Sequence, residues 1–167
     1  MKEKELKILD IDPLTLIPKL EELGAEKVFA GKIADQYYDF PQKALKERGY
    51  SLRIRTIDGT THQLCFKEKV KSKHYKIRKE YEIDLVSQKQ GEYFITGFGM
   101  FPCFYKEKMR LSYMIDDMKF DIDFYDGIKP LLEIEAPKKK QIGKRIKKLG
   151  LEDYTTSKKG ARSLLYV

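Results

Sequence analysis

Acidic and basic residues recur at alternate positions in this chain, the spacing that puts side chains of an extended strand on one face. Glu3, Glu5 and Lys7 form one such set, Arg53 and Arg55 a second, and Lys67 and Lys69 a third. Arg78, Glu80 and Glu82 follow, then Lys106, Lys108 and Arg110. Asp121 and Asp123 flank Ile122, and Glu133 and Glu135 flank Ile134. Paired carboxylates on one face offer hard oxygen ligands of the kind Mg²⁺ and Mn²⁺ prefer. Arginine takes phosphate oxygens two at a time, and lysine adds a point charge.

For any one strand, a polar face turned to water explains the pattern. The whole set does not fit that explanation, because solvent faces mix Ser, Thr, Asn and Gln with their charges. Here strand after strand carries Arg, Lys, Glu or Asp in pairs. The signs are also sorted, with carboxylates prominent in the first and last two strands and cations in the middle ones. A barrel would bring an acidic wall opposite a basic one, a metal belonging to the first and phosphate oxygens to the second. A triphosphate carries about four negative charges, so several cations and a metal are needed to hold it.

The elements that must position these residues are legible from local chemistry. Residues 3–11 read as an opening strand. A helix follows, with Asp12 as N-cap, Pro13 at its first position, Leu16, Ile17, Leu20 and Leu23 on one face, and Gly24 as the stop. The chain from Lys27 to Phe40 reads as extended, and 41–49 as a short helical turn. Asp58-Gly59 between two alternating runs, 50–57 and 60–69, is the strongest hairpin signal. Strands are expected over 76–85, 101–115, 119–125 and 131–136, with a short helix over 87–97. A basic helix begins after Pro137, carries Ile142, Ile146 and Leu149 inward and stops at Gly150. The expected architecture is α+β: a closed or nearly closed antiparallel β-barrel, a tunnel of about eight strands with a few flanking helices, in a single domain over 1–167.

Composition sets outer limits. The chain has 167 residues, 41% hydrophobic, so a folded core is expected and disorder is not. Charged residues reach 36%, and 34 Lys+Arg against 26 Asp+Glu leave a net charge of +8, which favours anionic partners. No apolar run approaches the roughly 18–20 residues of a membrane span, and no secretory signal is expected. Cys65 and Cys103 lie far apart with no histidine cluster beside them, so they read as reduced thiols in a cytoplasmic protein rather than zinc ligands. His62 and His74 read as surface residues, and Tyr37 and Tyr38 as packing on the barrel exterior.

Taken in order, the motifs resemble the CYTH superfamily, also called triphosphate tunnel metalloenzymes. Glu3-Lys4-Glu5-Leu6-Lys7 matches its opening Glu-x-Glu-x-Lys signature. Asp35-Gln36-Tyr37-Tyr38-Asp39 is similar to its second strand, and Leu52-Arg53-Ile54-Arg55 to its Leu-Arg-x-Arg strand. Cys65-Phe66-Lys67, Arg78-Lys79-Glu80-Tyr81-Glu82 and Lys108-Met109-Arg110 follow, and Asp123 precedes Leu132-Glu133-Ile134-Glu135 at the family's spacing. Pro130 stands where the family often has a second glycine, Lys106 adds a cation, and the stretch 154–159 resembles the family's closing segment only loosely.

The resemblance implies Mg²⁺ or Mn²⁺ dependence and a small molecule containing a triphosphate. It implies metal ligation by Glu3, Glu5, Asp123, Glu133 and Glu135. Phosphate binding would fall to Lys7, Arg53, Arg55, Lys67, Arg78, Lys108 and Arg110, and catalysis to Glu5, Lys7, Arg55 and Glu82. The expected reaction is hydrolysis of an inorganic triphosphate, a nucleoside triphosphate or thiamine triphosphate. The alternatives are a class IV-type adenylyl cyclase and a non-catalytic binder of polyphosphate or nucleic acid that uses the basic helix. Nucleic acid and membrane are not expected as partners of the enzyme, which is read as a monomer or homodimer.

Overall fold

The computed structural model describes residues 4–70 and 77–157. In chain order its elements are β1 (Lys4–Ile8), α1 (Pro13–Glu22), β2 (Glu26–Asp39), α2 (Ala44–Glu47), β3 (Ser51–Ile57), β4 (Thr61–Val70) and β5 (Ile77–Leu85). They continue with α3 (Gln88–Gly97), β6 (Phe101–Ile115), β7 (Met118–Phe124), β8 (Leu131–Ala136), α4 (Lys139–Leu149) and β9 (Thr156–Ser157). None of the described helices is long and apolar enough to cross a membrane.

Local signals place most of these boundaries. Asp12 caps α1 by accepting the Leu14 N–H at 3.1 Å, with Pro13 in the first turn where its missing donor costs nothing. The Asp58-Gly59 turn has φ of +49° and +73°, the pair of positive angles that matches strand twist in a two-residue hairpin. Asp58 also accepts the Lys32 N–H at 2.7 Å, and Gly31 leaves room for it: a Cβ there would lie 2.5 Å from Asp58 Oδ1. The last helix starts at Lys139 rather than directly after Pro137, because Gln141 reaches back to accept the Lys138 N–H at 3.0 Å and makes Lys138 the cap.

Hydrogen bonding links the strands in the order β5-β4-β3-β2-β6-β7-β8-β1-β9. The α+β class and the antiparallel sheet expected from the sequence are both present; among the described residues there are nine strands rather than about eight, and hydrogen bonds do not close the sheet. The extra strand, β9, is two residues long and pairs with Lys7 and Ile8, too short for any periodicity.

The chain divides into two compact units, Gly31–Lys108 and the segments on either side of it. In the first, the registers Tyr37↔Arg53↔Cys65↔Glu82 and Asp35↔Arg55↔Gln63 put these residues on one face of the sheet. The opposite face packs Tyr38 and Ile54 against Ile95 of α3, with Leu52, Leu64, Leu85 and Met100 partly covered around them. In the second unit the charged face is built from Glu5↔Glu135↔Lys119, Lys7↔Glu133↔Asp121↔Ser112 and Asp123↔Arg110. Its other face carries Ile8, Phe120, Ile122, Leu132 and Ile134, which pack with Leu16 and Leu20 of α1 and Ile142 and Leu149 of α4. Among the described residues, the core cluster of the second unit holds fifteen buried residues and that of the first holds three.

Candidate functional site

The first unit gathers three cations around one carboxylate. Asp35, only 1% exposed, accepts the Arg55 Nε–H on Oδ1 at 3.0 Å. Its Oδ2 meets Arg53 Nη1 and Lys106 Nζ, each at 3.3 Å. Burial alone would raise the Asp35 carboxyl; Arg53, Arg55 and Lys106 outweigh it and hold the group well below the usual carboxylate range. Arg53 Nη1 also donates to the Tyr37 hydroxyl at 3.1 Å, and the Tyr37 ring lies 5.8 Å from the guanidinium carbon and 5.9 Å from Lys106 Nζ. Phe104 supports that ring at 5.5 Å. Arg53 Nε is buried without a hydrogen-bond partner among the described residues. Arg53, Arg55 and Lys106 converge on one buried carboxylate while Arg53 Nε keeps no partner among the described residues, an arrangement that suits an anion.

Further along the same face, Lys67 pairs with Glu80. Burial and then the charge of Arg53 push the Lys67 ammonium below its ordinary value, against the opposing pull of Glu80. Burial of Glu80 is outweighed by Lys67, which lowers its carboxyl.

The second unit has the reverse balance. Arg110 donates to Asp123 through Nε at 2.5 Å and Nη2 at 2.7 Å, to Glu133 through Nη2 at 2.8 Å, and to Asp121 through Nη1 at 2.5 Å. Ser112 donates to Asp121 Oδ1 at 2.5 Å, and Lys119 Nζ lies 3.1 Å from Oδ2, the oxygen that Arg110 also meets. Lys7 pairs with Glu5 and, at 2.9 Å, with Glu133. Burial opposes the charge of Arg110, but Asp123 and its acidic neighbours raise its pKa well above the usual arginine value.

Within this unit, carboxylate oxygens of Asp121, Glu133 and Glu135 lie within 4.8 Å of one another. All three offer hard oxygen donors, so the set fits a divalent ion of the Mg²⁺ or Mn²⁺ kind. An ion entering it competes with Arg110, Lys7 and Lys119 for the same oxygens.

The residues singled out in the sequence fall as follows. Glu133 and Glu135 come together as expected, whereas Asp123 has both oxygens engaged by Arg110. Glu5 is exposed, registered against Glu135 and paired with Lys7. Glu3 lies outside the described residues. Arg53 and Arg55 share the Asp35 cluster, Lys67 lies on the same face, and Lys108 is buried on β6. Glu82 is exposed opposite Cys65. The backbone of Arg78 pairs with Lys69, and its side chain is outside the described set.

Sequence reasoning put Asp121 on the charged face and Asp35 in a motif but assigned neither a role. Both have the right parity: Asp35 registers with Arg55 and Asp121 with Glu133, so strand pairing would have exposed them. Tyr37 is a correction to the reading that placed it with Tyr38 on the exterior. Its ring lies on the charged face beside Arg53, because adjacent strand residues point to opposite sides.

A CYTH domain model matches residues 1–159. Among solved structures, a candidate adenylate cyclase from Vibrio parahaemolyticus is similar with a TM-score of 0.80 and 16% identity, over 100% of this chain and 99% of that one. A protein from Pyrococcus horikoshii has a TM-score of 0.75 and 20% identity over 90% of this chain and 92% of its own. A candidate adenylyl cyclase from Hippeastrum, described as having a dominant triphosphatase activity, has a TM-score of 0.70 and 16% identity over 98% of this chain and 94% of its own. At these identities the likeness is one of fold. No curated protein matches the chain in sequence. With a family model covering all but the last few residues, this chain belongs to the CYTH domain family.

Proposed function

We propose that this chain is a metal-dependent triphosphatase that hydrolyses the terminal phosphoryl group of a triphosphate, with residues 1–167 acting as one functional domain. The observation that carries the reading is the convergence of cations on Asp35: Arg53, Arg55 and Lys106 all meet this one buried carboxylate, and Arg53 Nε keeps no partner among the described residues. A polyanion balances such a cluster, and arginine nitrogens suit phosphate oxygens. Arg53, Arg55, Lys67, Arg78 and Lys108 bind the phosphate chain in this account.

The carboxylates of Asp121, Glu133 and Glu135 would hold a divalent ion, Mg²⁺ or Mn²⁺, and Glu3 and Glu5 would be further ligands. When bound, that ion supplies charge stabilisation at phosphoryl oxygens. Lys7 and Arg110 hold the carboxylates in place while the ion is absent and turn to phosphate when it is present. Glu5 and Glu82, both exposed, are the carboxylates assigned to orient the attacking water.

Hydrolysis is favoured over cyclisation by the triphosphatase activity described for the Hippeastrum protein of the same fold. The second reading, a class IV-type adenylyl cyclase, draws on the Vibrio neighbour. Phosphate release from tripolyphosphate by the purified protein, with Mn²⁺, tests the assignment. Arg55→Ala and Glu5→Gln should each reduce it by roughly 10²-fold or more, and undiminished release in both variants contradicts the reading.

A further inference from the structure

Asp35 is an unexpected residue in an anion-binding cluster. A buried carboxylate lowers the local potential and so opposes binding of another anion. Its contacts indicate what it contributes instead. One oxygen fixes Arg55 through Nε at 3.0 Å, and the other fixes Arg53 through Nη1 and meets Lys106, both at 3.3 Å. Because Arg55 is held by Nε, its two terminal nitrogens keep no protein partner among the described residues. Arg53 is held from a second side by the Tyr37 hydroxyl, and its Nε is left without a partner. Three long cationic side chains, each of which would otherwise sample many rotamers, are tied to one rigid, buried point.

We propose that Asp35 is a positioning residue, which sets the spacing and direction of Arg53, Arg55 and Lys106 so that the arginine nitrogens are preorganised for phosphate oxygens. The proposal rests on the triphosphate reading and deepens it: affinity comes from arranged donors rather than from net positive charge.

The sign of one effect separates this from simple charge compensation. Asp35→Asn adds a unit of positive charge to the cluster. If Asp35 only neutralises its neighbours, tripolyphosphate binds the variant more tightly. If Asp35 positions them, binding weakens despite the added charge. Asp35→Glu keeps the charge and moves the carboxylate by one methylene, so it tests position alone and remains informative where Asp35→Asn does not fold.

The experiment is calorimetric titration of the full chain with tripolyphosphate in metal-free buffer, each variant first checked for folding by circular dichroism. The expected result is about tenfold weaker binding for both variants. Binding by a folded Asp35→Asn at or above the wild-type affinity overturns the proposal, as does an Asp35→Glu affinity equal to wild type. Absence of tripolyphosphate binding by the wild-type protein, with and without Mn²⁺, instead overturns the triphosphate reading on which the proposal rests.

Discussion

Arg110 holds Asp123 by two parallel hydrogen bonds, Nε to Oδ1 at 2.5 Å and Nη2 to Oδ2 at 2.7 Å. Neighbouring bonds extend the same guanidinium to Asp121 and Glu133, so a single side chain neutralises the centre of the carboxylate set. Asp121 and Asp123 are both fully buried, and removing the cation they share takes a buried ionic partner from each.

Arg110→Met should therefore cost about 3–5 kcal/mol of stability, read by urea denaturation. Arg110→Lys should recover less than half, since an ammonium cannot reproduce the fork. Added Mn²⁺ should stabilise Arg110→Met more than wild type, because the ion meets carboxylates from which one of three competing cations has been removed. Equal stabilisation of both proteins by Mn²⁺ would contradict the competition described here.

The Asp35 cluster makes acid stability specific. The folded-state pKa of Asp35 is depressed, so its contribution is present above the ordinary carboxylate value, about 4, and is lost as pH falls through the folded value. Melting curves from pH 7 to pH 2.5 should show the gap between wild type and Asp35→Asn narrowing as the solution becomes more acid. A gap that stays constant over that range would show that Asp35 is not ionised in the folded protein.

Lys67 predicts a dependence at the other end of the scale. Its ammonium loses its proton below the ordinary lysine value of about 10.4, so the face loses a cation as pH rises through that depressed value. Tripolyphosphate affinity should therefore fall more steeply, as pH rises toward the ordinary lysine value, in wild type than in Lys67→Arg, whose guanidinium stays charged. Matching slopes, measured by titration calorimetry, would remove Lys67 from the phosphate-binding set.

Gly31 is the tightest approach of backbone to side chain in the β3–β4 hairpin's surroundings that the sequence left unremarked. A Cβ at this position meets both carboxylate oxygens of Asp58 at 2.5 Å and displaces the group that accepts the Lys32 N–H. Gly31→Ala should cost roughly 1–3 kcal/mol in thermal or urea unfolding. A variant as stable as wild type would mean that Asp58 moves aside freely.

The fold was legible wherever local chemistry was unambiguous. The Asp12 cap, the Asp58-Gly59 turn and the alternation over 101–115 all reappear in the structure with their expected boundaries or within a residue of them. The two-residue β9 was invisible because it exists only by pairing with β1. The charged faces were legible from parity within each strand. What parity within a strand cannot reveal is which residue on the next strand stands opposite, and Asp35 and Asp121 acquire their partners through that register. For the same reason the carboxylate partners of Arg110 were not legible: its sequence neighbours are Lys108 and Met109, while its hydrogen bonds go to β7 and β8.

The central claim, metal-dependent triphosphate hydrolysis, is tested most directly by product analysis of tripolyphosphate, thiamine triphosphate and ATP incubated with the purified protein and Mg²⁺ or Mn²⁺. The account predicts orthophosphate with the matching diphosphate from at least one substrate, abolished by chelation of the metal. Cyclic AMP and pyrophosphate from ATP, or no product from any substrate with either metal, would contradict it.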